Sequence, residues 1–302
     1  MSLPQSQQIL SGELRALARA ATLIENRSSD ADKLLKEIFP HSGRAITIGI
    51  TGAPGAGKST IVDKLTHILR QENKSVGIIA VDPTSPYTGG AILGDRIRML
   101  AHHADPHVFI RSMATRGWLG GVAAATTDMA VLLDAAGKDV VLIETVGVGQ
   151  DEVEIAKLAA VTVVVLVPGM GDDVQAIKAG IMEIADVFVV NKADQPDPDR
   201  LEREIKAVQS LSTRSDGWVP PIIRTVAVDG QGISETLAAI RSFLAHSDGK
   251  DRAVSNWSQR LREMLRERLL HRFPDLDFHA AAEDIVSRRT DPYTIINGWL
   301  TR

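Results

Sequence analysis

The sequence predicts an α/β fold built on a mostly parallel, doubly wound sheet of about seven strands, with helical extensions at both ends of the chain. From residue 45 onward, short runs rich in Val and Ile alternate with helical segments, and strands separated by helices pair in parallel through right-handed crossovers. The runs are continuously apolar, which is typical of strands covered on both faces. They are residues 45–51, 75–81, 107–111, 139–145, 162–167, 187–191 and 222–228.

The composition is that of an ordinary globular protein. The chain has 302 residues, of which 44% are hydrophobic and 24% charged, so a mostly disordered or fibrous chain is excluded. A net charge of −4 gives no reason to expect nucleic acid or an anionic membrane as partner. The absence of cysteine excludes disulfides, thiol catalysis and cysteine-based metal centres. No stretch reads as a secretory signal or a bilayer span, so we expect a cytoplasmic protein.

Residues 1–44 are predicted to form an N-terminal helical extension. Apolar side chains between residues 9 and 24 recur on one helical face. Residues 33–39 predict a second short helix, which Pro40 ends. The extension therefore precedes the first strand of the sheet.

The sheet-forming part is expected to span residues 45–247, and residues 248–302 to form a C-terminal helical arm. The run SDGKDR, residues 247–252, is interpreted as a linker. An amphipathic helix rich in Arg and Glu follows around Trp257, and two shorter helices are predicted over residues 277–289 and 292–300.

The sequence GAPGAGKST matches the phosphate-binding pattern G-x-x-x-x-G-K-[ST] between a predicted strand and a predicted helix. Its glycines allow backbone N–H groups to turn around phosphate oxygens, and the helix N-terminus adds the positive end of a dipole. Lys58 can reach the β- and γ-phosphates, and the Ser59 hydroxyl can bind Mg²⁺. The predicted phosphate loop comprises Gly52, Ala53, Pro54, Gly55, Ala56, Gly57, Lys58, Ser59 and Thr60.

A second motif, NKAD, follows the predicted strand at 187–191 and resembles the N-K-x-D element of GTPases. The Asp194 carboxylate can accept two hydrogen bonds from guanine, whereas adenine would leave it unpaired at a cost of about 1–3 kcal/mol. Lys192 can lie over the base, and Asn191 can tie this loop to the phosphate loop. The motif therefore predicts selection of guanine.

Acidic residues at strand ends are candidates for the magnesium site. Glu144 begins an E-T-V-G run in which the N–H of Gly147 could sense the γ-phosphate. The longer Glu side chain could contact the metal through water. Asp82 and Asp95 are further candidates, although Asp95 could instead cap a helix. Gln150, three residues beyond Gly147, is one hypothesis for positioning the attacking water.

A third segment, residues 168–180, could respond to the nucleotide. Asp172 and Asp173 could cap the helix that follows them or take part in a switch, and both interpretations stay open. Lys178 would lie about one and a half turns into that helix.

Together these blocks resemble the MeaB/ArgK family of GTPases, relatives of the human methylmalonic aciduria type A protein. The resemblance covers nearly the whole chain. It is carried by GAPGAGKST, VDPTSPYTGGAILGDRIRM, ETVGVGQDEVEIAKLA and PGMGDDVQAIKAGIMEIADVFVVNKAD. It implies a dimeric P-loop GTPase that serves adenosylcobalamin-dependent acyl-CoA mutases, chiefly methylmalonyl-CoA mutase. GTP binding and hydrolysis would gate cofactor loading and protect the mutase, while the C-terminal arm would form the homodimer.

The resemblance also implies roles for single residues. Lys58, Asp95, Glu144 and Lys178 would form the catalytic set, with Lys178 in a switch that contacts the mutase. The implied metal shell is Ser59, Asp82, Asp95 and Glu144, and the implied nucleotide contacts add Gly147, Asn191, Lys192, Asp194, Val226 and Ala227. The last guanine loop departs from the usual Ser-Ala, since Thr225 and Val226 precede Ala227 here, but the Ala227 N–H could still serve guanine O6.

Other functions are alternatives to this one. A nickel-delivery GTPase needs soft or imidazole ligands near its switches, but the adjacent pair His102 and His103 would point about 100° apart on a helix. A kinase needs an acceptor pocket, which no motif marks, and a non-hydrolysing adaptor is separable by measuring turnover. Asp105 and His107 begin like a cobalamin-binding motif, but Ile110 replaces its Gly, so the cofactor is expected on the partner. Without an obvious catalytic Gln or Arg, we expect slow hydrolysis that the partner raises.

Overall fold

A computed structural model describes residues 6–82, 99–102, 104–114, 121–145, 158–169, 181–211, 214–272 and 277–301. Within these ranges, seven strands form one sheet in which every pairing is parallel. The strands are β1 (Ile46–Gly52), β2 (Val76–Asp82), β3 (Val108–Ala114), β4 (Val140–Glu144), β5 (Val161–Leu166), β6 (Val187–Asn191) and β7 (Ile222–Thr225).

The strand order is β3-β2-β4-β1-β5-β6-β7, with β1 in the middle. Ile46 of β1 lies opposite Val140 of β4, and Ile48 lies opposite Val161 of β5. The order reverses at β1, and in such sheets ligands bind at the carboxyl ends of the strands next to the reversal. The predicted doubly wound parallel sheet is confirmed.

Helices cover both faces of this sheet. Among the described residues up to His246, these are α1 (Ser6–Leu10), α2 (Leu14–Glu25), α3 (Ser29–Ile38), α4 (Lys58–Gln71), α5 (Gly121–Ala135), α6 (Ile181–Ile184), α7 (Pro198–Leu211) and α8 (Ile233–His246). In β5, Val163 and Val165 pack into a core shared with α4 and α8, while Val164 and Leu166 pack against α7. The continuous apolar run therefore reflects burial on both faces, as predicted.

The N-terminal extension consists of α1, α2 and α3, which pack over α5. Residues 9–24 do not form the single helix that the periodicity predicts, because the chain turns between α1 and α2. Gly12 in this turn has φ +77°, which few residues other than glycine adopt readily. Ile9 and Leu17 are fully buried in a core with the sheet, and Arg111 of β3 forms an ion pair with Glu25 at the end of α2.

The last strand is shorter than predicted. Strand β7 ends at Thr225, and Ala227–Asp229 form a 3₁₀ helix instead of continuing the predicted strand to residue 228. The Thr225 hydroxyl and the Ala227 N–H both donate to the side chain of Asn191, the last residue of β6. After Thr225, this side chain therefore takes the place of the backbone pairing that would continue the strand.

The predicted linker at residues 247–252 is largely helical, because α9 (Gly249–Arg272) begins inside it. Asp186, directly before β6, anchors the first turn of α9. It accepts from Arg252 at 2.8 Å and from Arg214 at 3.0 Å. Both guanidinium groups also lie against the Phe243 ring. The hydrogen bonds that Asp186 accepts therefore favour a helix where the composition suggested a linker.

The chain divides into two compact units, residues 1–256 and 257–302. The second unit holds the rest of α9 together with α10 (Phe278–Val286) and α11 (Pro292–Leu300). Phe278 and Trp299 are in edge-to-face contact, with ring centroids 4.9 Å apart. Among the described helices, none combines the length and apolar character needed to cross a membrane.

Candidate nucleotide-binding site

The phosphate loop connects β1 to α4 and depends on glycine at two places. Gly52 has φ +142°, and a Cβ there would lie 2.1 Å from the carbonyl oxygen of Val165. Gly57 has φ +93°, and a Cβ there would lie 2.3 Å from Nδ2 of Asn191. The loop thus passes so close to β5 and to the end of β6 that side chains are excluded at both positions.

Lys58 is the first residue of α4 and its side chain is buried. Its Nζ donates to the carbonyl oxygens of Gly52 at 2.7 Å and of Ala53 at 2.9 Å. The ammonium group therefore lies within the turn of the loop, at a helix N-terminus. Backbone amides and the helix dipole already favour an anion at such a terminus.

Ser59 and Glu144 meet where the phosphate loop passes the end of β4. Ser59 Oγ donates to Glu144 Oε1 at 2.6 Å, and both residues are buried. Because the hydroxyl donates to the carboxylate, its lone pairs face elsewhere and can accept a cation. Hydroxyl and carboxylate oxygens are the hard ligands that Mg²⁺ prefers, so this pair fits the predicted metal.

Asn191, the last residue of β6, joins three loops. Its Nδ2 donates to the carbonyl oxygen of Ala56 at 2.8 Å, so the predicted tie to the phosphate loop is present. Its Oδ1 accepts from the Thr225 hydroxyl at 2.9 Å and from the Ala227 N–H at 3.1 Å. The Ala227 N–H, expected to serve guanine O6, is bonded to Asn191 in this structure. A single buried amide therefore fixes the phosphate loop to the loop after β7.

The remaining residues of the NKAD motif form a turn beyond β6. Lys192 is half-buried with φ +56°, and Asp194 is exposed. The Ala193 N–H donates to the Thr225 carbonyl at 3.0 Å, which holds the turn against the end of β7. Val226, half-buried, donates its N–H to the Gln231 carbonyl at 3.2 Å. The structure thus brings both predicted guanine loops to the same edge as the phosphate loop.

Several predicted residues lie outside the described part of the chain. Asp82 ends β2, but its side chain is not among those described. The others outside the described residues are Asp95, Gly147, Gln150, Asp172, Asp173, Lys178 and His103.

The residues weighed for other ligands lie in ordinary structural settings. His102 belongs to a short 3₁₀ helix, where its Nε2 lies 3.0 Å from a carboxylate oxygen of Asp63. Among the described residues, no three His, Asp or Glu side chains are grouped to hold a metal. Asp105 accepts from Arg70 at 2.8 Å and from the His107 N–H, and the Arg70 hydrogen bond lowers the pKa of that carboxyl. Asp105 precedes β3 and so lies at the amino ends of the strands, whereas the phosphate loop lies at their carboxyl ends.

Sequence reasoning missed two contacts made by threonines. The Thr51 and Thr145 hydroxyls are 2.9 Å apart, and the Thr225 hydroxyl is bonded to Asn191. The available signal was a threonine at or next to the carboxyl end of each of three strands, β1, β4 and β7, a position that faces the candidate site.

The comparisons with known proteins agree on one family. A family model described as methylmalonyl Co-A mutase-associated GTPase MeaB matches residues 17–276. A candidate GTPase of Pyrococcus abyssi is 51% identical over 266 residues, which cover 87% of this chain and 80% of that one. The mitochondrial methylmalonic aciduria type A homolog of Mus musculus is 36% identical over 253 residues, covering 78% of this chain and 61% of that one.

Among solved structures, a crystal structure described as LAO/AO transport system kinase superposes with a TM-score of 0.72 at 27% identity. The superposition covers 98% of this chain and 95% of the other. Fold and sequence therefore agree on a P-loop GTPase that binds guanine nucleotides. The chain belongs to the family of methylmalonyl-CoA mutase-associated GTPases, MeaB.

Proposed function

We propose that this protein is a GTP-hydrolysing chaperone of an adenosylcobalamin-dependent acyl-CoA mutase, with methylmalonyl-CoA mutase as the client. Its GTP cycle gates loading of adenosylcobalamin onto the mutase and protects the mutase from inactivation. The observation that carries the proposal is the match over residues 17–276 to a family described by its association with that mutase. The loops joined by Asn191 support the nucleotide part of it.

Lys58 supplies the positive charge for the triphosphate. In the structure its ammonium group is held by the Gly52 and Ala53 carbonyls, inside the loop that would surround the phosphates. Phosphate oxygens attract the ammonium group more strongly than neutral carbonyls do, because they carry a negative charge. Binding would therefore exchange two neutral acceptors for charged ones.

Ser59 and Glu144 would hold Mg²⁺, with Asp82 and Asp95 as the other proposed ligands. When bound, the ion would neutralise charge that develops on the phosphates. The hydrogen bond from Ser59 to Glu144 sets which way the hydroxyl lone pairs face, and so prepares the serine as a ligand.

Guanine would be read at the carboxyl ends of β6 and β7. The exposed Asp194 carboxylate accepts from guanine N1–H and the exocyclic amine, Lys192 lies over the base, and Val226 and Ala227 line its far side. Asn191 keeps this loop in register with the phosphate loop. Base and triphosphate are therefore recognised by parts that one amide holds together.

The proposed switches are the segments around Asp95, Gly147 and Lys178. Ordering of these segments by GTP and Mg²⁺ would create a surface that favours one conformation of the mutase. The conformational equilibrium of the mutase would shift by the difference in binding free energy for its two conformations. Hydrolysis is slow in the isolated protein and faster with the mutase.

The arm of residues 248–302 forms a homodimer, the protein is cytoplasmic, and cobalamin binds to the client.

The test combines calorimetry with turnover. With Mg²⁺ present, GTP should bind and ATP should not, and phosphate release should rise about tenfold or more when purified methylmalonyl-CoA mutase is added. Lys58→Ala should abolish binding, whereas Lys36→Ala, an exposed lysine on α3, should match wild type. Absence of GTP binding would refute the GTPase site. Normal GTP binding without complex formation or stimulation would refute the chaperone role alone.

A second candidate function, phosphoryl transfer to another molecule, is favoured by the description of the superposed structure as a kinase. Turnover of GTP labelled at the γ-phosphate separates the two. We expect the label to be released as inorganic phosphate both with and without the mutase, and label recovered on a protein or a small molecule would favour the kinase.

A further inference from the structure

Two threonine hydroxyls meet beneath the candidate site. Thr51 is the next-to-last residue of β1, and Thr145 directly follows β4. Their Oγ1 atoms lie 2.9 Å apart, and the residues are 0% and 4% exposed. The Thr145 N–H also donates to the carbonyl oxygen of Ile50 at 3.1 Å, so Thr145 extends the pairing of β4 with β1 by one residue.

Burial makes this contact specific. Ile50, directly before Thr51, and Ile143, two residues before Thr145, are buried hydrophobic residues, and valine has nearly the same shape as threonine. Two valines would pack in the same space without placing polar groups in the core. A pair of hydroxyls adds a directional hydrogen bond between the ends of β1 and β4. Apolar packing alone would not fix the relative position of these two strand ends so closely.

The pair lies next to both charged contacts of the phosphate loop. Thr51 precedes Gly52, whose carbonyl accepts from Lys58. Thr145 follows Glu144, whose carboxylate accepts from Ser59. The carboxyl end of β4 is therefore attached twice, by the threonines just before the phosphate loop and by Ser59 near the end of the loop.

We propose that Thr51 and Thr145 are a positioning pair that sets the carboxyl end of β4, with Glu144, relative to the phosphate loop and so tightens binding of Mg²⁺ and GTP over GDP. The inference rests on the proposed role of this loop and of Glu144. GDP would need the phosphate loop and the guanine loops. GTP additionally presents a γ-phosphate to a metal held by Ser59 and Glu144, and the threonine pair sets how Glu144 lies relative to the phosphate loop.

The test compares Thr51→Val/Thr145→Val with wild type. Because both hydroxyls are replaced by groups of similar shape, the melting temperature should stay near that of wild type. The affinity for fluorescent GTP should fall about tenfold, and the Mg²⁺ concentration for half-maximal hydrolysis should rise by a similar factor, as is typical when a residue behind a metal ligand is lost. Affinity for fluorescent GDP should stay within about twofold of wild type, since loss of the pair affects only the γ-phosphate and metal side.

Three companion variants make the result decisive. Thr145→Val alone should already lower the ratio of GTP to GDP affinity, and Thr145→Ser, which keeps the hydroxyl, should restore it. Thr236→Val is the matched control, because this fully buried threonine donates to the carbonyl of Gly232, the residue before α8, at 2.8 Å. It should lower the melting temperature slightly and leave the nucleotide ratio unchanged.

An unchanged ratio and magnesium requirement in the double variant would overturn the inference. An equal change in Thr236→Val would also overturn it, since the effect would then follow stability alone. Failure of wild type to bind GTP would instead refute the proposed function, so the two failures are distinguishable.

Discussion

Replacing Asn191 by alanine should destabilise the fold and the guanine site together. The side chain is 3% exposed and makes hydrogen bonds of 2.8, 2.9 and 3.1 Å to Ala56, Thr225 and Ala227. Each group left buried without a partner costs about 1–3 kcal/mol. Allowing for relaxation around the truncated side chain, we expect a loss of about 3–5 kcal/mol in the free energy of unfolding.

Thermal unfolding followed by circular dichroism gives the measurement. One kcal/mol lowers the melting temperature of a domain of this size by about 2–4 °C, so Asn191→Ala should melt about 10 °C below wild type. Thr225→Val is the matched control, because it removes one of the three bonds and keeps the shape, and it should melt only about 3 °C lower. Affinity for GDP should fall more than about tenfold in Asn191→Ala and little in the control.

A small effect would refute the reasoning. If Asn191→Ala melted within about 2 °C of wild type and bound GDP equally well, the phosphate and guanine loops would not depend on this amide. Melting lowered equally in both variants would show that the Thr225 bond alone carries the stability.

Three further perturbations test other parts of the structure. Gly52→Ala should lower the free energy of unfolding by about 3 kcal/mol in guanidinium titrations, because its Cβ meets the Val165 carbonyl in a backbone that is held by the sheet; stability equal to wild type would contradict this. Asp194→Asn should shift the nucleotide preference measured by calorimetry from GTP toward xanthosine triphosphate, and an unchanged preference would remove Asp194 from its role. The hydrogen bond from Arg214 lowers the pKa of Asp216 from 3.8 to about 2, so its stabilisation is present above about pH 4 and is lost as pH falls toward 2. The gap between the urea midpoints of wild type and Asp216→Asn should therefore be constant above about pH 5 and narrow below it, whereas a constant gap at all pH values would disprove the linkage.

The parts of this molecule that could be predicted from sequence are those encoded locally. The residues of the phosphate loop are contiguous in the sequence, so the spacing of its glycines and Lys58 predicts the loop geometry. The strands were predictable because burial on both faces demands continuous apolar runs, as β5 shows. A turn at Gly12 went unpredicted, since the apolar periodicity of α1 and α2 continues across it even though the backbone does not.

The parts that could not be predicted depend on partners distant in the chain. The end of β7 depends on Asn191 on the neighbouring strand, and the early start of α9 accompanies a contact between Arg252 and Asp186. The pairing of Thr51 with Thr145 joins residues that are 94 positions apart. Each of these is a hydrogen bond whose two halves become neighbours only after the sheet has assembled.

The reach of Asn191 has a consequence for synthesis of the protein on the ribosome. The amide contacts Ala56, which is made 135 residues earlier, and Ala227, which is made 36 residues later. A nascent chain that carries the phosphate loop but has not yet released β7 therefore lacks the partners that fix the turn after β6, which we propose reads the base. Because a ligand stabilises only the state that binds it, guanine nucleotides would act on the finished fold and not on its precursors.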